Sequence, residues 1–537
     1  MKRLLISVIA LPVGLLTQPS ISRAQDEHAA HGTHAKTRTL GHVSFPNSGN
    51  APAQKSFLDG LALIHSFEYP DAVDAFDEAK RADKTFALPY WMEALTKTQL
   101  IWGIDDVAAA RATLKTLAAT PQERLGRARS PGERAFGAAV EAFYSDGTQV
   151  TRAAAFADAL RKWVETTPTD LEAHAFAALG ILWQALYADG DAVRRLRTEA
   201  AEHAQFVFDR NPLHPGAAHY IIHASDAPST AKLGLRAALE YSRIAPDAEH
   251  ALHMPSHIFL PLGMWDELVS ANERAWKASR ADAVRQGFKP WRSDFHSLNW
   301  LQYGYLQQGR WKAARALIDT ARLLTKGIAD NINPADDPDA SLAAEQLAFR
   351  YAVETGDWSA FDMDPVKIDP RDSTISDRAV GMAVSSTYHR ALAALRTRRD
   401  EAAVRSAMAV VSTVRPVLAT LLEAELSSIG ADKSATIGIL EKLRPMTRVD
   451  RNRSMTPSPI INVDEALGAA LVAGGRAADA IKVYREALAD RPRRAASLLG
   501  LARAQEAAGD KAGARLTYNE LSKMWSRADP EVRALLQ

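Results

Sequence analysis

From Ser56 to the C-terminus, apolar and small residues recur three and four positions apart in segments long enough for several helical turns. Gly60 followed by Tyr69, Ala72, Phe76 and Ala79 sets out one pair of helices, and Phe176, Leu179, Gly180 and Trp183 mark the inner face of another. Gly263-Met264-Trp265, Gly309-Arg310-Trp311 and Gly356-Asp357-Trp358 each place a turn before an aromatic that opens the next helix. Near the C-terminus Leu467-Gly468, Gly475, Ala480, Tyr484, Ala487 and Pro492 are echoed 34 residues later by Leu501, Gly509, Ala514 and Tyr518. Alternating runs of the kind that make half-buried strands are nearly absent. A 34-residue period predicts stacked helix-turn-helix units, in which small residues let helices approach and aromatics fill the space between hairpins.

The same period organises the histidines. His219 and His223 are four apart, His253 and His257 are four apart, and the second pair follows the first by 34 residues; Pro212 and Pro246 keep that offset. Residues four apart share one helix face, and stacking aligns equivalent helices, so four imidazoles are predicted to converge. Asp226 lies one turn beyond His223, and His250 joins the second pair at three before His253. Aligning Trp265 with Trp311 puts His250 over His296, His253 over Asn299 and His257 over Tyr303. His174 falls in the column of His250 one repeat earlier, and His65 near the end of the first inner helix. His203, His214 and His389 read as ordinary packed or solvent-facing residues. Pro255 interrupts the second pair and Pro261 follows; a proline inside a helix costs about 3 kcal/mol, so Met254-Pro255-Ser256-His257 either begins a new helix or kinks the old one.

The repeated Leu-Gly, Gly, Ala, aromatic, Ala and Pro positions resemble the tetratricopeptide repeat family over most of residues 56–525. That resemblance implies an all-α fold, a right-handed superhelical α-solenoid of helical hairpins. Within the family, Gly60-Leu61 with His65-Ser66-Phe67 and Tyr69, His214-Pro215-Gly216-Ala217-Ala218-His219-Tyr220 with Ile222-His223-Ala224, and His253-Met254-Pro255-Ser256-His257-Ile258-Phe259 resemble a narrower group of exported bacterial proteins. The resemblance to that group covers roughly residues 56–320 and implies no particular activity.

The N-terminus adds an address. Lys2 and Arg3, the apolar stretch Leu4 to Leu16 and the small-residue site Ser22-Arg23-Ala24 form a secretory signal pattern, with cleavage after Ala24 and a periplasmic or secreted product. Thirteen residues are too few to span a bilayer, so no membrane insertion is expected after cleavage. Residues 25–55 read as a disordered tail carrying His28, His31, His34 and His42. Beyond it the expected layout is an array over 56–365 bearing the histidines, a linker or long loop at 366–380, and a C-terminal array over 381–537. The basic loop with Arg448, Arg451 and Arg453 reads as solvated surface.

Lys+Arg of 65 against Asp+Glu of 64 gives no pull toward nucleic acid, which is not an expected partner. With no cysteine, any metal must be held by nitrogen or oxygen. The predicted site therefore takes His219, His223, His253 and His257 as first ligands, then His250 and Asp226, with His65, His174 and His296 as an outer ring. Such a donor set suits copper or zinc. Six histidines would also supply the three per metal of a coupled dicopper site: His219, His223, His250, His253 and His257, with one of His65, His174 or His296. Asp226, Asp247 and Glu249 are the candidate general bases, although Glu249 points about 100° away from its neighbour His250. The competing reading is a metal-free scaffold. In it Trp91, Trp183, Trp291 and Trp300 line a concave groove for a peptide, protein or small molecule. No Gly-x-Ser-x-Gly elbow, phosphate-cradling loop or His-Glu-x-x-His motif supports a metal-free hydrolase.

Overall fold

Helix Ala51–His65 opens the array, capped by the Asn50 side chain, which accepts from the Ala53 amide. A three-residue turn leads into helix Tyr69–Ala82, which packs back along the first. The sequence enforces this closeness: a Cβ on Gly60 would meet the Phe76 ring at 2.5 Å, and one on Gly468 would meet Tyr484 at 2.5 Å. The computed structural model describes residues 38–334, 337–372, 374–448 and 461–536, and throughout them successive helices pair in this way. Thr98–Gln99 and Ile104–Asp105 form the one small antiparallel pairing of strands among the described residues. The chain is an all-α solenoid of helical hairpins.

Two features depart from the expected layout. Residues 38–50 do not behave as a solvated tail. They run extended across several hairpins, with Leu40, Val43 and Phe45 buried. The His42 amide donates to Leu213 O at 2.8 Å, and the Ser48 amide donates to Glu133 Oε1 at 2.6 Å. Three well-spaced apolar residues in a polar stretch give no periodic signal, yet they suffice once a groove exists to receive them. The signal pattern of 1–24, His28, His31 and His34, and the loop arginines Arg451 and Arg453 lie outside the described residues.

The second departure concerns the C-terminal repeats, which are not a separate array. Residues 361–372 and 374–376 are non-helical, and helix Asp377–Arg398 begins inside the expected linker. The last helices nevertheless return to the middle of the chain, where Leu521, Met524, Trp525, Ala528 and Val532 share a core with Trp265, Trp300 and Tyr303. Trp525 Nε1 donates to Gln307 O at 3.0 Å, the Asp529 amide donates to Gly309 O at 3.0 Å, and Trp265 Nε1 donates to Arg493 O at 2.8 Å. These contacts brace the end of helix Phe295–Gln307, which carries His296, and the start of helix Trp265–Arg285. No helix among the described residues is long and apolar enough to cross a membrane.

Candidate metal centre

Three segments bring the histidines together. Helix Pro215–Ala224 starts on a proline at its first turn and is capped by His214, whose ring nitrogen accepts from the Ala217 amide at 3.1 Å. It carries His219 and His223. Glu249–His253 and Ser256–Phe259 are two short helices separated by Met254-Pro255, both in right-handed helical conformation. The proline thus interrupts the helix without turning the chain away, and His253 and His257 still meet, with Nε2 atoms 3.3 Å apart. His296 enters on helix Phe295–Gln307, whose first turn is capped by the Asp294 carboxylate.

The expected quartet does not form one site. The histidines divide into two triads, His219 with His223 and His250, and His253 with His257 and His296; within each, one nitrogen per ring lies within 4.8 Å of the others. The triads adjoin: ring centroids of His250 and His253 are 6.4 Å apart, and those of His223 and His257 6.3 Å. His250 and His253 share the short helix Glu249–His253, yet His250 packs against His219, with Nε2 atoms 3.1 Å apart, while His253 and His257, on either side of the break, both face His296.

The rings are held from behind. His219 Nδ1 donates to the main-chain oxygen of His65 at 2.7 Å, His253 Nδ1 to Asn272 Oδ1 at 2.7 Å, and His257 Nδ1 to Asp226 Oδ2 at 2.9 Å. Asn272 is itself oriented, since its amide nitrogen donates to Ser256 Oγ at 2.7 Å and Leu268 O at 2.8 Å. Each Nε2 of these three rings is therefore left with its lone pair directed into the site, the arrangement by which outer partners fix metal-ligating histidines. Asp226 is thus a support for His257 and not a free base. Burial lowers the pKa of His219 to about 3 and holds His250 and His253 well below the usual 6.5, with the neighbouring imidazoles adding to it; burial lowers His296 too. Neutral rings are the form that coordinates a metal.

Aromatic walls close the triads. Trp300 packs 4.6 Å from the His257 ring centroid and 5.2 Å from that of His253. Phe67 lies 4.3 Å from His219 and 5.5 Å from His250. Phe67 holds φ at +59°, where bulky L-residues are outliers. Such strain clusters at functional sites.

The remaining candidates lie elsewhere. Both nitrogens of His65 are used, Nδ1 with Tyr220 Oη and Nε2 with Glu172 Oε2, each at 2.9 Å. Glu172 also takes His214 Nε2 at 3.1 Å, so His65, Glu172 and His214 form a buried hydrogen-bonded network whose acid is held well below its usual range, against burial, by the two imidazoles. His214 is therefore no background residue. His174 pairs with His203 (2.9 Å) and Pro168 O (3.1 Å), apart from the triads. Glu249 faces Ser279, Asp294, Glu68 and Asp282, and burial followed by these acids raises it to about 10, so it is protonated at neutral pH and not poised as a base. Asp247 binds the N-terminal strap through the Thr39 amide. Asn272 carried no sequence signal, because its role depends on the packing of helix Trp265–Arg285 against the histidine segment.

Both triads border one cavity of about 1200 Å³, reached by His223, His250, His257 and His296. Trp291 and Trp300 also line it, whereas Trp91 is fully buried in the core.

Residues 471–537 match the tetratricopeptide repeat family, which accounts for the regular C-terminal hairpins. Comparison with curated proteins gives no match. Among solved structures, the chain is similar to the human IFIT1 dimer with PPP-AAAA, at 12% identity and a TM-score of 0.34 over 88% of this chain and 89% of that one. It is also similar to yeast Tom70, at 11% identity and a TM-score of 0.30 over 90% and 95%, and to Ypp1, at 9% identity and a TM-score of 0.41 over 90% and 89%. Likenesses this remote bear on neither ligand nor partner.

Proposed function

We propose that this solenoid holds a pair of transition-metal ions, one on His219, His223 and His250 and one on His253, His257 and His296. The observation that carries the reading is the meeting of His253 and His257. Both rings spend their Nδ1 protons on acceptors behind them, so two lone pairs face each other across 3.3 Å. That contact is repulsive without a cation between the rings. Two ligands about 2.0–2.1 Å from one tetrahedral ion stand about 3.3 Å apart, which is the separation seen here.

Copper is the metal we favour and zinc the second choice. The donors are neutral imidazoles, with no sulfur, and the nearest carboxylate, Asp226, stands behind a histidine instead of beside the site. Hard ions would call for oxygen ligands, and among divalent ions copper binds nitrogen donors most tightly. Three ligands per ion leave coordination positions toward the cavity. A bound copper pair would supply electron exchange with dioxygen or a reducible substrate, whereas zinc would supply a hydrolytic nucleophile. The chain's own part is to orient the imidazoles, keep them neutral and wall them on one side with Phe67 and Trp300.

Elemental analysis of untagged protein, beside a variant with His219, His223, His253 and His257 changed to Ala, tests the reading. Two equivalents of copper or zinc in the native chain and none in the folded variant are expected. Metal-free protein in both would overturn it and leave a helical-repeat interaction scaffold, with the contact between His253 and His257 then bridged by a proton.

A further inference from the structure

The cavity also borders His389, a histidine that neither triad uses. It lies on helix Asp377–Arg398 at 7% exposure, and Phe349 stacks on its ring at a centroid distance of 4.0 Å. Its Nδ1 faces Glu345 Oε1 at 3.3 Å. Glu345 is buried as well, on helix Pro338–Thr355, and its other oxygen accepts from Ser386 Oγ at 3.0 Å and Arg390 Nη2 at 2.6 Å. Burial would raise this acid, but His389, Arg390 and Ser386 together hold it below its usual range, so it is ionised. A carboxylate only accepts, so His389 Nδ1 carries the proton and Nε2 the lone pair. Burial lowers the pKa of the ring against the pull of Glu345, with Arg350 and Arg390 adding to the lowering, and keeps it neutral.

His389 Nε2 has no hydrogen-bond partner among the described residues, although the ring is buried. An acceptor left unmade in such a place is costly. The same helix face continues the site: Ser385 and Met382 stand four and seven residues before His389, and both border the cavity half-buried. Ser385 Oγ donates to Gly381 O at 2.9 Å, so toward a ligand it too is an acceptor. Leu347 and Leu418 add apolar wall. Two acceptors among apolar side chains call for a ligand that brings its own donor. An ammonium is disfavoured by Arg350 and Arg390, whose charges already act on His389. A sugar would bury more hydroxyls than two acceptors can satisfy.

We infer that the cavity binds a phenol beside helix Asp377–Arg398, its hydroxyl donating to His389 Nε2 and its ring lying along Met382 and Leu418. A phenol joins an apolar body to a single polar tip, which is the pairing these side chains present. About 1200 Å³ leaves ample room for such a molecule. The site needs no metal on the triads, so its ligand can be tested whatever the metal content of the protein.

Equilibrium dialysis of the full-length protein against 4-ethylphenol and 4-ethylanisole compares a ligand that has the O–H donor with one that lacks it. At least tenfold tighter binding of the phenol is expected, and in His389→Leu the phenol should bind no tighter than the anisole. Met382 is half-buried, so Met382→Trp keeps the test open if His389→Leu fails to fold. The larger ring should fill the subsite and weaken phenol binding at least tenfold. Equal affinity of the native protein for the two probes, binding of neither, a preference that survives in folded His389→Leu, or phenol binding unmoved by Met382→Trp would overturn the assignment. Metal content measured on the same preparations reports separately on the triads.

Discussion

Asp226 Oδ2 accepts the Nδ1 proton of His257 at 2.9 Å, and this carboxylate decides which nitrogen His257 turns into the cavity. An asparagine can present its amide nitrogen instead and allow the other tautomer. Losing an outer partner of a ligating histidine typically lowers metal affinity by about 10–100-fold. Asp226→Asn should therefore weaken one of two metal equivalents by that factor and leave the other, on His219, His223 and His250, unchanged. Competition with a chromophoric chelator reads the two equivalents separately; a uniform loss at both, or none at either, would count against the division into triads.

Phe67 offers a test that separates backbone strain from packing. Its ring rests on His219 and His250, and its φ of +59° disfavours any side chain. A left-handed conformation costs an L-residue about 1–2 kcal/mol, and glycine escapes this cost. Both Phe67→Ala and Phe67→Gly lose the ring, at about 3–5 kcal/mol for a buried phenylalanine. The glycine variant should then be the more stable of the two by about 1 kcal/mol, the reverse of the order at most helical sites. Thermal melts of the two variants side by side give the comparison.

Acidity should act on the metal-free protein from both directions. His219, His250 and His253 have folded pKa values below the unfolded 6.5, that of His219 at about 3. Below 6.5 the unfolded chain binds protons that the folded one refuses. Stability is therefore complete above 6.5 and is lost as pH falls, at roughly 1.4 kcal/mol per unit for each such group. Glu68 and Glu249 run the other way: burial raises them to about 7 and about 10, so the unfolded chain ionises first and stability declines as pH rises from 4.5 toward those values. Between 4.5 and 6.5 the three histidines outweigh the two acids, and above 7 Glu249 alone continues the decline. The melting temperature should peak near pH 6.5, and Glu249→Gln should flatten the alkaline side while steepening the acid side between 4.5 and 6.5. A peak that stays put with an unchanged alkaline slope in Glu249→Gln would show that this acid is ionised in the fold.

The hairpin pattern was legible because helical periodicity and Gly-aromatic contacts such as Gly468 against Tyr484 are local or one repeat apart. The i,i+4 histidine pairs were legible for the same reason. Their division into triads was not, since it parts His250 from His253 on one short helix and depends on which repeat lies over which after stacking. Asn272 left no pattern at all, being a single polar residue on an amphipathic helix, and Phe67, although it stands in the His65-Ser66-Phe67 motif, gave no sign of its backbone strain, which has no counterpart in composition. The strap over residues 38–50 was misread because its three buried apolar residues are spaced too irregularly to suggest a helix or a strand.

The return of the C-terminal repeats to the middle of the chain has a consequence for the histidines they never touch. Trp525 is buried at 3% exposure against Gly309 and donates to the last turn of the helix that carries His296 and Trp300. Removing a buried tryptophan costs about 3–5 kcal/mol. In a solenoid, where each unit leans on its neighbours, the loss falls first on the local interface. Trp525→Ala should therefore loosen helix Phe295–Gln307 while leaving the hairpins before residue 200 as they were. The expected signature is faster amide exchange over residues 295–310 and weaker binding of the metal equivalent on His253, His257 and His296. The equivalent on His219, His223 and His250 should persist, because its ligands sit on segments that the C-terminal helices do not hold directly. Equal loss of both equivalents, or exchange spread evenly along the chain, would mean that the array unfolds as one unit and that the brace has no local action on the site.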